Sequence, residues 1–310
     1  MPNAKLFNYL HLHFIVFIWG FTAILGELIS IEALPLVWYR MLLASVFIYV
    51  YIYFKKLPLT VSRKLFFTLF LAGIVIALHW ITFFAAIKVS NVSITLSMMS
   101  TGAFFTSILE PIFYKRKVIW YEILFGLLVI TGLYIIFKVE GDYFIGIVYA
   151  LCSAFLSSVF SLINGKVAQQ YNPSVISFYE LLSGVGVVTV YLLGITIFGA
   201  TTEGFTVSFF QLSTSDWMFM LLLASVCTAY AFIGSVQVMK YLTPYTVMLT
   251  TNLEPVYGIL LAFLIFGEAE KMNPQFYYGA AIILGTVVLN GIFKNAKKRK
   301  REGTLHNITK

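Results

Sequence analysis

Long apolar segments with almost no charge recur along the whole sequence, and they constrain its fold more than any other feature. Apolar residues make up 60% of the 310 residues and charged residues 11%, whereas soluble domains carry roughly 25% charged residues. A water-soluble core of this size could not use so much apolar surface. Segments of about 18 apolar residues or more indicate membrane-spanning helices, so the sequence predicts an all-α integral membrane protein.

Ten spans are expected, and the connections between most of them are short. They run approximately over His13–Leu28, Leu34–Phe54, Leu65–Ile87, Val92–Tyr114, Ile119–Phe137, Tyr143–Gly165, Pro173–Gly199, Trp217–Met239, Pro244–Phe266 and Pro274–Phe293. No cleavable signal peptide is expected, because further spans follow the first one and no small-residue cleavage site lies behind it. Any function should therefore reside inside the helical bundle.

Lysine and arginine are distributed unevenly between alternate loops. With a cytoplasmic N-terminus, 17 of the 21 basic residues lie inside, three (Lys88, Lys138 and Lys271) lie outside, and Arg40 lies within a span. This asymmetry predicts a multi-pass protein of the cytoplasmic membrane with both termini in the cytoplasm. The basic tail, residues 295–310, is expected to anchor this topology on anionic lipid, or alternatively to bind a specific lipid or regulator. The net charge of +8 therefore reports membrane sidedness and not nucleic-acid binding.

The second half of the sequence repeats the first. A shift of about 153 residues superposes the segment 88–137 on 240–293, with Gly126 on Gly279 and Gly132 on Gly285. Two units are predicted, residues 12–138 and 143–294. Each holds five spans, an odd number, so the second must be inverted relative to the first, as in secondary transporters with a site between the repeats. The glycines predict close packing of the fifth and tenth spans, which either lie at the periphery or form a homodimer contact.

Short motifs in a fixed order resemble those of the drug/metabolite transporter superfamily, and most closely its EamA-type family of ten-span proteins. The likeness extends from about Leu12 to Phe293. The motifs are Trp19-Gly20, Arg40 in the second span, Ala86-Ile87-Lys88, Glu254-Pro255 and Gly267-Glu268.

The resemblance implies a secondary carrier that exports or exchanges small metabolites, often amino acids or related compounds. It implies no ATPase activity and no cofactor. The expected partners are a small organic solute and the lipid bilayer. One departure is that the first unit has Tyr114-Lys115 where the second has Gly267-Glu268, so a symmetric carboxylate pair is not expected there.

Arg40 and Glu180 occupy equivalent positions, because Tyr39-Arg40 aligns with Tyr179-Glu180 at an offset near 140 residues. Ionisable groups within spans cost roughly 3 kcal/mol on insertion scales and are therefore candidates for function. A guanidinium suits a carboxylate and a carboxylate can hold an ammonium. We therefore expect Arg40 and Glu180, with Tyr39 and Tyr179 beside them, to bind a zwitterion. The alternatives are a structural ion pair and snorkelling to the interface.

His79 and Trp80 lie in the middle of the third span. Because histidine titrates near neutral pH, His79 is a candidate for carrying the coupling proton; the alternative is one hydrogen bond between helices. Trp80 lies too deep for an interfacial residue and either lines the substrate cavity or packs in the core. The other histidines lie near or beyond membrane ends, so no metal site is expected.

Pro255 should interrupt the ninth span. Proline donates no backbone hydrogen bond and crowds the carbonyl of Thr251, so a local break is predicted. Transporters commonly build binding sites where polar residues lie beside such a break. Asn252 is therefore a candidate for substrate binding and Glu254 for proton or cation coupling. The alternative is a structural kink with a protonated acid.

Two other functions remain as alternatives to a carrier. A membrane scaffold or lipid flippase would tolerate the loss of the buried charges, whereas a carrier of charged solutes should not. A membrane enzyme is disfavoured because the sequence has no H-E-x-x-H motif, no P-loop and no acidic metal-binding cluster. Cys152 and Cys227 lie within spans and do not indicate a disulfide framework.

Overall fold

The computed structural model describes residues 2–115, 120–139, 141–199, 204–286, 288–289 and 292–293, and within these ranges it contains no β-strand. The helices are α1 (Pro2–Leu28), α2 (Ala33–Phe54), α3 (Arg63–Val89), α4 (Val92–Met99), α5 (Gly102–Tyr114), α6 (Trp120–Val139), α7 (Phe144–Val167), α8 (Pro173–Phe198), α9 (Thr214–Ala224), α10 (Ala231–Val238), α11 (Pro244–Thr251) and α12 (Glu254–Phe266). The last helix, α13, has the described residues 274–286, 288–289 and 292–293. A π-helical turn, Ser225–Tyr230, joins α9 to α10.

Eight helical segments of the described chain are long and apolar enough to cross a membrane. They are Leu6–Leu28, Ala33–Phe54, Arg63–Val89, Val92–Tyr114, Gly141–Val167, Pro173–Phe198, Thr214–Val238 and Pro244–Glu270. Helix α6 contributes a shorter apolar stretch, Leu124–Ile136, and α13 and the basic tail fall partly or wholly outside the described residues. The predicted multi-pass membrane protein is therefore confirmed, and the count of ten spans stays a prediction.

Polar side chains cap several helices where the chain enters them. Ser62, Asn91 and Thr243 each accept a hydrogen bond from a backbone N–H in the first turn of α3, α4 and α11. Such a cap satisfies one of the four N–H groups that a helix leaves without an internal partner. The caps explain why the spans begin where they do in an otherwise uniformly apolar sequence.

The fourth and ninth spans are each broken into two helices at equivalent positions. Helices α4 and α11 have eight residues each and α5 and α12 have thirteen each, with Val92 corresponding to Pro244. The predicted break before Glu254 is confirmed. The break at Ser100 and Thr101 was not predicted, because no proline follows it. Here Thr101 Oγ1 donates to the Met98 carbonyl at 2.7 Å, and such local bonds compete with the helical ladder.

The two broken spans cross each other. Helix α4 packs against α12, and α11 packs against α5, so each pairing is the counterpart of the other under exchange of the two sequence units. Glycine permits both crossings, because a Cβ on Gly258 would collide with Leu96 and a Cβ on Gly102 would lie 2.8 Å from Met248 Cε. Helix α12 also packs against α1, where Gly20 lies close to Tyr257.

Helices α6 and α13 meet at Gly132 and Gly279. A Cβ on either glycine would lie 2.9 Å from the carbonyl oxygen of the other. The close packing predicted for the fifth and tenth spans is therefore made within the chain at these two positions. A homodimer contact stays a prediction.

Candidate functional site

A cavity of about 80 Å³ lies inside the bundle, between α1, α2, α3, α7, α10 and the break that separates α11 from α12. Its polar side chains are Thr22, Arg40, His79, Ser157, Ser235, Thr251 and Glu254, and its aromatic ones are Trp19, Trp80, Phe83, Phe160 and Phe232. One water occupies about 30 Å³ in the liquid, so the cavity has room for only two or three waters. An organic solute requires the surrounding helices to separate.

Arg40 is 1% exposed, and its guanidinium is held on two sides. Its Nε donates to Thr228 Oγ1 at 2.7 Å, and its Cζ lies 3.9 Å from the centre of the Trp80 ring. The Nη1 group is buried and has no hydrogen-bond partner. A desolvated cation–π contact stabilises by about 2 kcal/mol, whereas a buried donor without an acceptor costs about 1–3 kcal/mol. Nη1 is therefore the atom of the site that most needs an acceptor.

The π-helical turn fixes the position of Thr228. Thr228 Oγ1 donates to the Leu223 carbonyl, five residues earlier, at 2.7 Å, and accepts from Arg40. Short π-helical turns are rare and occur frequently at functional sites. Nothing in the sequence distinguishes Thr228 from the many other polar residues within spans, so sequence reasoning missed it.

His79 is held by Ser153 of α7. Its Nδ1 lies 2.7 Å from Ser153 Oγ and 3.0 Å from the Ser153 carbonyl, while Ser153 Oγ donates to the His79 carbonyl at 3.0 Å. Because a carbonyl oxygen only accepts and the hydroxyl already donates, this network assigns the hydrogen of the neutral ring to Nδ1. Nε2 is then the proton-accepting atom, on a ring that lines the cavity.

Glu254 reaches the cavity as the first residue of α12. It is 8% exposed, and in the described part of the chain its carboxylate accepts no hydrogen bond. The N-terminus of a helix favours negative charge, and Glu254 interacts electrostatically with Arg40 without an ion pair within 4.0 Å. The Arg40 guanidinium and the Glu254 carboxyl group thus face one space without a direct ion pair.

Four predicted binding residues lie outside the cavity lining. The Tyr39 and Tyr179 hydroxyls donate to the carbonyls of Phe209 at 3.3 Å and Leu59 at 2.6 Å. Glu180 is fully buried between helices and accepts a hydrogen bond from Asn164 Nδ2 at 2.9 Å, and Asn252 is buried within the break. Glu180 forms no ion pair with Arg40 within 4.0 Å. The carboxylate that shares the cavity with Arg40 is that of Glu254.

Two other carboxylates join the halves of the sequence at one end of the bundle. Asp216, in the first turn of α9, accepts hydrogen bonds from Ser30 N at 2.7 Å and Ser30 Oγ at 2.8 Å. Glu270 accepts from the backbone N–H groups of Val92 at 3.0 Å and Ser93 at 2.9 Å, at the positive end of α4. These bonds tie the two halves of the chain together at that end, and sequence reasoning missed both residues.

The loop after α12 carries a further ion pair at the surface. Lys271 Nζ donates to Glu268 Oε2 at 2.9 Å, and both side chains are largely exposed. This hydrogen bond raises the pKa of Lys271. Exposed pairs of this kind contribute little to stability, which makes Glu268 a useful reference for the buried Glu270.

A larger groove of about 990 Å³ lies beside α3 and α8. Its walls are mainly apolar, and Ser30, Glu32, Thr206 and Ser208 lie among its lining residues. It shares no lining residue with the cavity around Arg40. The groove could hold an apolar chain but offers little to bind a charged solute.

Comparisons with known proteins agree with this architecture. The profile of the EamA-like transporter family matches residues 7–138 and residues 144–292. A protein crystal structure is similar with a TM-score of 0.66, covering 93% of this chain and 98% of that chain at 13% sequence identity; this likeness shows the fold alone. A search of curated proteins gave no significant match. The two profile matches meet between α6 and α7, at the boundary of the sequence repeat.

Proposed function

Because the chain belongs to the EamA-like transporter family, we propose that it is a secondary transporter that exports or exchanges small zwitterionic metabolites, such as amino acids. The observation that carries this proposal is that Arg40, with an unpartnered Nη1, and Glu254 line the same cavity. A guanidinium pairs well with a carboxylate, and Glu254 offers the opposite charge for an ammonium. The aromatic walls around Trp80 and Phe232 suit an apolar substituent of the solute.

Alternating access follows from the duplicated architecture. Ten spans, arranged as two inverted five-helix units, would give two near-equivalent states that open the cavity to opposite sides. The equivalent breaks in the fourth and ninth spans and the reciprocal packing of α4 on α12 and α11 on α5 support this arrangement. With both termini in the cytoplasm of a cell-membrane protein, the bonds of Asp216 and Glu270 close the outer end.

Glu254 and His79 are the groups in this cavity that could exchange protons. Both interact electrostatically with Arg40 on α2, which also interacts with Cys227 on the π-helical turn. Among the described residues that line the cavity, Glu254 alone is acidic, so its protonation would leave Arg40 uncompensated. Proton binding and ammonium binding at Glu254 therefore exclude each other, which couples solute movement to a proton gradient.

A lipid flippase is the second candidate, and the groove of about 990 Å³ beside α3 and α8 is the observation that favours it. An acyl chain would lie along the apolar wall, with the head group near Ser30 and Glu32. In this case the cavity charges would be dispensable. The effect of replacing Arg40 therefore separates the two candidates.

Counterflow in proteoliposomes tests the proposal. Proteoliposomes that contain the purified protein are preloaded with one unlabelled solute from a panel of amino acids and related metabolites. They should take up the same radiolabelled solute from outside saturably, and the uptake should depend on a proton gradient. Arg40→Lys should strongly reduce this uptake, whereas Gly186→Ala, whose added Cβ would meet no atom within 4 Å, should retain it. Absence of saturable counterflow across the panel, together with labelled-lipid translocation that survives Arg40→Lys, would favour the flippase.

A further inference from the structure

Four of the buried oxygen atoms without a hydrogen-bond partner in the described chain lie on α7 and α8, outside the cavity. They are Ser161 Oγ, Asn164 Oδ1, Ser177 Oγ and Glu180 Oε2. The side chains that carry them are between 0% and 2% exposed. Orphaned buried polar atoms are uncommon in native proteins and call for an explanation, such as an unseen water or ion.

These atoms belong to neighbouring positions on α7 and α8. Asn164 Nδ2 donates to Glu180 Oε1 at 2.9 Å, which joins the two helices directly. Ser161 precedes Asn164 by three residues on α7, and Ser177 precedes Glu180 by three residues on α8, so each serine lies on the same helix face as its partner. Both helices pack on α3, and the Asn164–Glu180 bond brings these faces of α7 and α8 together.

An ionised Glu180 carboxylate would find no balancing protein charge among the described residues. In the described part of the chain, no basic side chain lies within 4.0 Å of its carboxylate. The amide of Asn164 donates to Oε1, while Oε2 has no hydrogen-bond partner. An ionised carboxylate inside a membrane protein needs a compensating charge.

The donor set fits a small monovalent cation. Carboxylate, amide and hydroxyl oxygens are the ligands that hard cations prefer. An amide oxygen and an ionised carboxylate oxygen both only accept hydrogen bonds, so neither can satisfy the other. A cation can contact both oxygens at once, whereas the single hydrogen of a neighbouring hydroxyl can satisfy only one of them. A single carboxylate balances one positive charge, whereas a divalent ion would leave an excess charge within the bilayer.

We propose that Glu180, Asn164, Ser161 and Ser177 bind a dehydrated alkali-metal cation, with Na⁺ as the ion to which we commit. This site is separate from the cavity that holds Arg40 and Glu254. Its existence does not depend on the proposed transport, but its role as a coupling site does.

The surrounding contacts connect this cation site to the cavity. On α7, the Phe160 carbonyl accepts from Asn164 Nδ2 at 3.4 Å, and the Phe160 ring lines the cavity. On α3, Gly73 lies so close to the Glu180 carbonyl that a Cβ would collide with it, and His79, two turns further along, lines the cavity. A cation that orders α7 and α8 against α3 would therefore set the positions of two cavity walls.

Equilibrium binding of radioactive sodium to the purified full-length protein in detergent tests the site. At constant ionic strength, maintained with choline chloride, we expect saturable binding of one Na⁺ per chain. Glu180→Gln should abolish binding, and Ser177→Ala should weaken it by roughly tenfold, the size expected for loss of one contact to a charged group. Ser45→Ala is the matched control, because this buried hydroxyl already donates to the Leu42 carbonyl at 2.8 Å; it should bind as the wild type does.

Three results would overturn the proposal. The first is no saturable Na⁺ binding, and the second is Na⁺ binding that survives Glu180→Gln. The third is a protein whose properties change with pH but are the same in sodium chloride and in choline chloride. Thermal unfolding of each variant establishes that it is folded, and Asn164→Ala with Ser177→Ala replaces Glu180→Gln if that chain does not fold. The assay contains no organic solute. Sodium binding without counterflow would therefore refute the proposed transport alone, and counterflow without sodium binding would refute this site alone.

Discussion

Arg40 and Thr228 lie in different halves of the chain and are joined by a 2.7 Å hydrogen bond from the arginine Nε to the threonine Oγ1. The bond fixes one edge of the guanidinium and leaves Nη1 without a partner. Thr228 is itself placed by the π-helical turn of the second half. The second half of the chain therefore orients the cation that the first half supplies, so relative motion of the halves must change how the cavity presents that cation.

Replacing Thr228 by valine should weaken solute binding, because Arg40 Nε loses its acceptor and the guanidinium loses its orientation. We expect the apparent affinity for the solute to fall by about tenfold and the free energy of unfolding to fall by about 1–3 kcal/mol. Thr228→Ser retains the hydroxyl and should behave as the wild type. Solute binding and thermal unfolding in detergent measure the two effects, and equal behaviour of the valine and serine variants would refute the orienting role.

Arg40→Lys should reduce transport by at least about tenfold while expression is preserved. Lysine keeps the positive charge but lacks the planar guanidinium group. In Arg40 this group stacks on Trp80 at 3.9 Å, donates to Thr228 and still offers a further N–H group. Uptake in reconstituted vesicles measures this loss. Unchanged uptake would remove Arg40 from the solute site.

The composition and spacing of the sequence predict the membrane fold because apolar length follows directly from bilayer thickness. The break in the ninth span could be predicted because Pro255 lacks a backbone donor. The equivalent break at Ser100 and Thr101 could not, since serine and threonine distort a helix only when their hydroxyls bond back to it. That choice depends on packing and leaves no mark in the sequence.

The sequence predicts which charged side chains belong to the candidate site, because charge within a span costs free energy, but it does not predict which of them share the cavity. Arg40, His79, Glu180 and Glu254 all stand out because charge within a span is expensive. Which of them share a cavity depends on helix rotation, and the structure brings Glu254 to Arg40 while Glu180 contacts Asn164. Thr228 could not be found, because its role depends on a π-helical turn for which the sequence carries no signal.

Glu254→Gln should reduce the pH dependence of transport. In the wild type, protonation of Glu254 removes the charge that holds the ammonium, so we expect solute affinity to fall as the pH is lowered. The glutamine variant keeps the shape of the side chain but cannot titrate, so its weaker transport should vary less over the same range, and any remaining variation should come from His79. Counterflow between about pH 5 and 8 measures this; a wild type and a variant that are both indifferent to pH would contradict it.

Gly73→Ala should destabilise the protein by about 1–3 kcal/mol, because the added Cβ collides with the Glu180 carbonyl and forces α3 away from α8. Gly186 of α8 provides the matched control, since its Cβ would meet nothing within 4 Å. Gly186→Ala should be neutral or stabilising by up to about 1 kcal/mol. Thermal unfolding in detergent compares the two, and equal stability of both variants would show that α3 and α8 are not packed this closely.

Glu270→Gln should loosen the closed end of the bundle. The carboxylate accepts the N–H groups of Val92 at 3.0 Å and Ser93 at 2.9 Å with its two oxygens, whereas an amide has one oxygen and cannot accept both bonds. Hydrogen bonds to charged groups contribute about 1.5–3 kcal/mol each. The equilibrium should therefore shift towards the state that is open at this end by roughly tenfold or more.

The accessibility of the cavity measures this shift. In a chain with Cys152→Ala and Cys227→Ala, Ser157→Cys places one thiol in the cavity lining, and a membrane-impermeant reagent added outside should label it faster in the Glu270→Gln background. Glu268→Gln serves as the control, because Glu268 contacts only the exposed Lys271 among the described ion pairs. The two substitutions remove the same charge, but only Glu270 accepts hydrogen bonds from α4. Equal labelling rates for the two glutamine variants would therefore mean that these bonds stabilise the fold without controlling access to the cavity.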